Sequence, residues 1–268
     1  MDKQKENYQR ELEEELKNID SKGEKPSLLL HACCGPCSSY VLEYIASHFK
    51  VTVLYYNPNI YPKAEYDRRF NELKNLYKEF APALDNDVKV VEIPYIAEDF
   101  YNAVKTREEP ELAKEQEKGE RCRRCYELRL KKTFEYAKEN NYDYFCTTLS
   151  ISPFKDAEKI NQIGREIEWK AKANSLIESN ITKVSDMAAG AEGLELRETN
   201  EESNKVPKWL VSDFKKKGGF KRSLEISDEF SMYRQEYCGC VYSYRSREEW
   251  LKQKEAENAK NEIKSDNK

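Results

Sequence analysis

No stretch of this 268-residue chain is long and apolar enough to span a bilayer. Its first residues, Met1-Asp2-Lys3-Gln4-Lys5-Glu6, contain no apolar segment of the kind that directs secretion. These absences lead us to expect a cytoplasmic protein with no membrane partner. An excess of positive charge is missing too: the formal net charge is -4 and the sequence pI is about 5.6. That argues against a global electrostatic grip on nucleic acid, though not against a local basic patch. No internal repeat is visible. Histidine is scarce, with only His31 and His48.

What the chain does have is charge, aromatics and cysteine. Charged residues make up 36% and hydrophobic residues 38%, so the surface is ionic but a core can form. Eighteen tyrosines and ten phenylalanines supply large apolar area for it. Residues 1–20 carry Leu12, Leu16 and Ile19 at helical spacing and read as an amphipathic helix. Apolar runs at 27–32, 51–56, 88–93 and 144–149 read as buried strands, separated by helical segments. One such helix carries Val41, Leu42, Ile45 and Phe49 on a single face, a second covers the sixties and seventies, and another begins near Cys122. This alternation predicts an α/β fold: one domain with a parallel sheet and helices on both faces. Ligands of such sheets bind beyond the carboxyl ends of the strands. The first strand ends at Cys33-Cys34 and the fourth at Thr147-Thr148-Leu149-Ser150, so both ends should face one crevice. The polar segment 172–205 reads as an irregular insertion or loosely packed loop, with order returning over 206–214. The charged tail, about 251–268, is expected to fray.

Eight cysteines in a cytoplasmic chain need a reason, because structural disulfides are rare there. Cys146 stands alone in an apolar run and reads as a small buried hydrophobe. The others are clustered, which points to metal or redox chemistry. Cys33-Cys34 and Cys122-x-x-Cys125 together offer four thiolates, suited to zinc or to an iron–sulfur cluster. Adjacent cysteines fit one tetrahedral ion less easily than a larger cluster. The loop of Cys33, Cys34 and Cys37 also lies at a helix N-terminus, whose N–H groups favour negative charge. Cys238-Gly239-Cys240 reads as a redox pair, with extra metal ligands or buried thiols as the other reading. Arg121, Arg123 and Arg124 flank the second pair, either offsetting its charge or lying solvated on the surface. His31 stands beside the cysteine loop, as a donor behind it or as a satisfied buried histidine. Lys216, Lys221, Arg222 and Arg234 are candidates for substrate binding. With Phe214, Phe220 and Tyr233 interleaved, they could grip an RNA stem-loop and stack a base, although such charge runs are more often a solvated face.

Several blocks recur in one order: His31-Ala32-Cys33-Cys34-Gly35-Pro36-Cys37-Ser38, then Tyr56-Asn57-Pro58-Asn59-Ile60, then Arg121-Cys122-x-x-Cys125-Tyr126. Thr147-Thr148-Leu149 with Ser152-Pro153 follows, and Tyr233-Arg234-Gln235-x-Tyr237-Cys238-Gly239-Cys240 closes the series. In these blocks the chain resembles the QueH-type epoxyqueuosine reductases, over about residues 6–170 and 206–245. Blocks in order are far more specific than any single C-x-x-C. The resemblance implies a Rossmann-like fold related to adenine-nucleotide-binding and tRNA-thiolating enzymes. It implies a 4Fe-4S cluster on Cys33, Cys34, Cys122 and Cys125, and a redox-active disulfide between Cys238 and Cys240. It leaves room for a second metal ion beside the cluster, with no ligands assigned. The implied reaction is cobalamin-independent removal of the epoxide oxygen from epoxyqueuosine at the tRNA wobble position, fed by an unidentified electron donor. Segment 172–205 departs from the shorter connection expected of the family.

Two rivals share features of this sequence. An ATP-dependent tRNA sulfurtransferase of the same fold would carry a Ser-Gly-Gly-x-Asp-Ser-like phosphate loop after the first strand. Here that position reads Ala32-Cys33-Cys34-Gly35-Pro36-Cys37, and Pro36 removes an N–H donor. A non-catalytic zinc RNA-binding module accounts for four cysteines but leaves Cys238-Gly239-Cys240 without a purpose.

Overall fold

A computed structural model of the chain describes residues 6–188 and 205–266. The first helix, α1 (Tyr8–Lys22), is capped by Asn7, whose side chain accepts the backbone N–H of Arg10 at 3.2 Å. Its Leu12, Leu16 and Ile19 are buried as their spacing predicts. Strand β1 (Ser27–His31) leads into α2 (Gly35–Ile45), and β2 (Lys50–Tyr55) into α3 (Lys63–Tyr77) and the short α4 (Ala81–Leu84). Then come β3 (Lys89–Glu92), α5 (Ala97–Val104), α6 (Glu120–Glu139), β4 (Tyr144–Thr147) and α7 (Ala157–Ala188). The two-residue β5 (Lys208–Trp209), α8 (Gly219–Glu229) and α9 (Val241–Asp266) complete the order.

The five strands form one sheet in the order β3-β2-β1-β4-β5, and every pairing is parallel. The architecture is therefore the expected Rossmann-like α/β one. Side chains alternate across β1: Leu28 and Leu30 pack with Leu12, Val41, Leu42 and Phe49, whereas Leu29 packs on the other face with Tyr126, Leu130, Phe145 and Ile160. A strand covered on both faces must be apolar throughout, which is why β1 reads as an unbroken Leu28-Leu29-Leu30 run. The chain leaves β1 toward β2 and β3 on one side and returns to β4 on the other. The ends of β1 and β4 thus flank the point where strand order reverses, the place where open α/β sheets bind ligands.

One expectation is corrected. Segment 172–205 is not irregular from its start: α7 continues unbroken through Ala188, while 189–204 lie outside the described residues. Polar residues without a proline or glycine before Gly190 form a helix rather than a loop. In the charged tail α9 runs to Asp266, again without a proline or glycine. The N-terminal helix begins at Tyr8, with residues 1–5 outside the described set.

Candidate active site: thiols at the strand ends

Beyond β1 and β4 lies a cavity of about 250 Å³, lined in part by Cys33, Cys37, Leu149, Lys155, Gln235 and Cys238. Cys34 is the N-cap of α2; its sulfur accepts the backbone N–H of Cys37 at 3.3 Å, and Pro36 occupies the first turn. This turn folds Cys33, Cys34 and Cys37 so that their sulfurs all lie within 4.8 Å of one another. Hydrogen bonds from the Cys34 and Cys37 thiols, aided by the nearby Arg129 charge, hold Cys33 well below the ordinary thiol range. Burial and the Cys33 charge push Cys34 up in turn. Gln235 donates its amide to Cys34 Sγ at 3.1 Å and to Cys37 Sγ at 3.7 Å. Cys37, which the resemblance leaves out of the cluster ligands, belongs to the tightest thiol group among the described residues.

Cys122 and Cys125 sit one turn apart at the start of α6, both buried. Burial raises both thiols, Cys122 up to about 11. They are not part of the trio's close group among the described residues, although Cys33 and Cys122 share one hydrophobic cluster. What joins the cysteine groups is Arg129, which is 2% exposed. Its guanidinium donates to Cys125 O at 3.0 Å and Cys125 Sγ at 3.3 Å. Burial opposes that charge, but the electrostatic pull of Cys125, Cys238 and Cys33 keeps it firmly protonated. One buried cation therefore faces all three sequence groups.

Cys238 and Cys240 are free thiols that hydrogen-bond each other. Gly239 between them has φ 120, a backbone region that other residues rarely adopt, and a Cβ there would meet Arg69 Nη1 at 3.0 Å. The loop is pinned from outside. Tyr61 N donates to Gly239 O at 2.8 Å, and the buried Arg69 donates to Tyr237 O at 3.3 Å and Cys238 O at 3.4 Å. Lys155 reaches in from the turn before α7, with Nζ 2.5 Å from Cys238 Sγ. The Cys240 hydrogen bond and then the Lys155 charge hold Cys238 well below the ordinary thiol range, against its burial. Nothing in the sequence flags Lys155, one of 46 lysines and arginines. Its burial comes from the fold.

The remaining candidates separate. His31 is fully buried, with Nδ1 2.8 Å from Thr147 Oγ1 and Nε2 3.1 Å from Tyr56 O, and burial pulls it down to about 4. It is a satisfied, neutral core histidine. Cys146 is likewise buried and pushed up to about 12. Arg121 is buried and bonds Leu112 O and Ala113 O, while Arg123 and Arg124 are paired to Glu120, Glu127 and Glu109. None of the three is a plain solvated arginine. Of the basic candidates, Arg234 lines the cavity. Arg222 is committed to Glu43, Glu225 and Glu229; Lys221 is exposed, 3.8 Å from Glu225; Lys216 sits in an exposed turn. Phe220 also lines the cavity, but Phe214 is 1% exposed in the core. Tyr233 is engaged by Glu65 and by the Arg68 guanidinium, 3.3 Å from its ring centre. Neither Phe214 nor Tyr233 is free to stack a base.

Fold and site together define a Rossmann-like α/β protein whose ligand crevice, at the strand-order reversal, is walled by thiols. A family model described as epoxyqueuosine reductase QueH matches residues 28–198 and 190–246. Similar proteins include the epoxyqueuosine reductase QueH of Streptococcus pyogenes serotype M1, 36% identical over 240 residues, which span 90% of this chain and 79% of that one. That of Staphylococcus epidermidis is 33% identical over 243 residues, covering 91% and 87% of the two chains. That of Thermotoga maritima is 27% identical over 226 residues, covering 83% and 93%. The chain belongs to the epoxyqueuosine reductase QueH family.

Proposed function

We propose that this protein is a cytoplasmic epoxyqueuosine reductase that converts epoxyqueuosine to queuosine at the wobble position of tRNA. The observation that carries this reading is that Cys33, Cys37 and Cys238 line one cavity at the strand ends while the buried Arg129 faces Cys33, Cys125 and Cys238, in a chain of this family. Opening an epoxide to an alkene consumes two electrons and two protons and releases the oxygen as water. Cys238 lines the cavity with Cys240 hydrogen-bonded to it, and closing this dithiol to a disulfide yields two electrons.

The donor set fits an iron–sulfur cluster. Cys33, Cys34, Cys122 and Cys125 are soft ligands, buried or partly so, in a site with a fixed cation at Arg129 and an amide donor at Gln235. When bound there, the cluster would supply electron transfer and a Lewis-acidic iron. The protein's own groups do the rest. Arg129 balances thiolate charge, Gln235 orients Cys34 and Cys37, and Arg69 holds the Cys238 loop at the wall of the cavity. Arg234 offers the cavity a cation for a phosphate or for stacking on a base, with tRNA as the partner.

The test is incubation of anaerobically prepared, reduced protein with tRNA carrying epoxyqueuosine, followed by nucleoside mass spectrometry. Queuosine is the expected product. Iron and acid-labile sulfide should accompany the wild-type protein and be largely lost from Cys34→Ser and Cys122→Ser. Unchanged tRNA from iron-loaded, reduced protein would overturn the reading, and zinc alone would favour a binding module.

A further inference from the structure

Lys155 is an unusual lysine. It is 9% exposed, and Glu117 acts on it only as the weakest of the nearby charges. Its side-chain hydrogen bond goes to Cys238 Sγ, at 2.5 Å. A buried ammonium is costly unless paired, and the charge that bears most strongly on this one is that of its hydrogen-bond partner Cys238. The cavity it lines is shared with Cys33, Cys37 and Cys238, so Lys155 and Cys238 face the same space. The other titratable groups facing it are Glu117, which also lines the cavity, Cys122 and Cys125 on α6, and Tyr126, whose buried hydroxyl has no hydrogen-bond partner among the described residues.

We propose that Lys155 is a catalytic residue that holds Cys238 as a thiolate and delivers a proton to the departing substrate oxygen. This rests on the reading that Cys238 and Cys240 supply the electron pair. The reaction then balances within the site. The Cys238 thiolate and the Cys240 thiol form an S–S bond and release two electrons and the Cys240 proton. The Lys155 ammonium releases a second proton and becomes the amine. Both C–O bonds of the epoxide break, its carbons keep the electron pair as the new alkene bond, and its oxygen leaves as water with the two protons. Net charge is zero on both sides. The two events are coupled by electrostatics. Burial by itself disfavours the ammonium, and it is the Cys238 charge that most strongly overcomes this. When Cys238 is oxidised that charge disappears, and the amine form becomes favoured at the moment a proton is needed. Resetting the pair takes two electrons and two protons from the external donor that every reductase turnover requires.

Two variants divide the roles. Lys155→Met removes both charge and proton, while Lys155→Arg keeps the charge on a group that does not deprotonate in proteins. Each is prepared anaerobically and reduced, and its tRNA affinity is checked to establish the folded state. Cys238 alkylation by iodoacetamide at neutral pH is followed by peptide mass spectrometry, and queuosine formation by single turnover. Lys155→Met should slow Cys238 alkylation at least about tenfold, since the thiolate is the nucleophile. Lys155→Arg should alkylate at close to the wild-type rate, yet turn over about 100-fold more slowly, in the range of a lost general acid. Wild-type turnover by Lys155→Arg overturns the proton role, and wild-type alkylation of Lys155→Met overturns the thiolate role. The parent reading fails separately: wild-type protein that forms no queuosine refutes the reductase assignment, whereas the alkylation rates still decide whether Lys155 holds a thiolate. Should Lys155→Met fail to fold, Lys155→Arg alone carries the test.

Discussion

Arg69 is the anchor of the Cys238–Gly239–Cys240 loop, and its removal has a calculable cost. Its side chain is 1% exposed and pairs with Glu65, 10% exposed, at 2.6 Å. Two of its N–H groups hold the Tyr237 and Cys238 carbonyls at 3.3 and 3.4 Å. Arg69→Met keeps much of the volume but leaves Glu65 a buried carboxylate with only the Tyr233 hydroxyl, 3.2 Å away, and a backbone setting for support. Breaking a buried pair from one side costs about 3–5 kcal/mol. The two lost hydrogen bonds are long and add at most about 0.5 kcal/mol each, near the lower end for such bonds. A total near 4 kcal/mol is a large part of the stability of an ordinary domain, roughly 5–15 kcal/mol. Replacing Glu65 as well, in Arg69→Met/Glu65→Gln, removes the stranded charge and should recover more than half of the loss. Equilibrium urea denaturation of reduced, anaerobic wild type and the variants measures all of these terms, with unchanged m-values as the check on a common unfolded state. A loss below about 1 kcal/mol for the single variant, or a double variant no better than the single, would refute the account of the loop's anchor.

Further outcomes follow from other parts of the molecule. Cys238→Ser should keep its iron and its tRNA affinity but lose turnover; iron loss would instead place Cys238 among the metal ligands. A Cβ at Gly164 would lie 2.2 Å from the Trp209 ring, so Gly164→Ala should cost about 1–3 kcal/mol by overpacking and shift Trp209 emission, which an unchanged melting point and spectrum would contradict. Asp143 accepts both the backbone N–H and the hydroxyl of Ser27 at 2.7 Å, tying β4 to β1. Burial works against its charge, but Lys205 and Ser27 hold the carboxyl below its usual 3.8. A depressed carboxyl stabilises the fold above its unfolded value and loses that contribution as pH falls through the folded one. Asp143→Asn should therefore be less stable than wild type at pH 7, with the gap in urea midpoint closing below pH 3.8; an equal gap at both pH values would contradict it.

The strands were legible because burial on both faces demands unbroken apolar runs, as in Leu28-Leu29-Leu30. The order of strands was not, since nothing local says that β4 returns beside β1. The two-residue β5 is too short to leave a pattern, although its Trp209 is 2% exposed. Segment 172–188 is polar yet helical, because polarity alone does not break a helix as proline or glycine does. The cysteine groups declared themselves by spacing. Their closest arrangement, with Cys37 beside Cys33 and Cys34, came from the tight first turn of α2. Phe214 looked like a stacking aromatic and is core, because its neighbours Lys215, Lys216 and Lys217 said nothing about which side of the chain faced inward. Lys155, Arg69 and Arg129 were invisible for the same reason. Each is an ordinary cation in sequence, and what sets it apart is a buried partner far along the chain: Cys238 for Lys155, Tyr237 and Cys238 for Arg69, Cys33 and Cys238 for Arg129.

The most direct measurement of the central claim is a single turnover without added reductant. Protein is reduced, freed of reductant under anaerobic conditions and mixed in excess with tRNA carrying epoxyqueuosine. Nucleosides and cysteine peptides from the same sample are then weighed. The account predicts a nucleoside lighter by one oxygen atom, and for each one formed, a disulfide between Cys238 and Cys240. Queuosine formed while both thiols stay free, or a disulfide formed while the nucleoside keeps its oxygen, would contradict it.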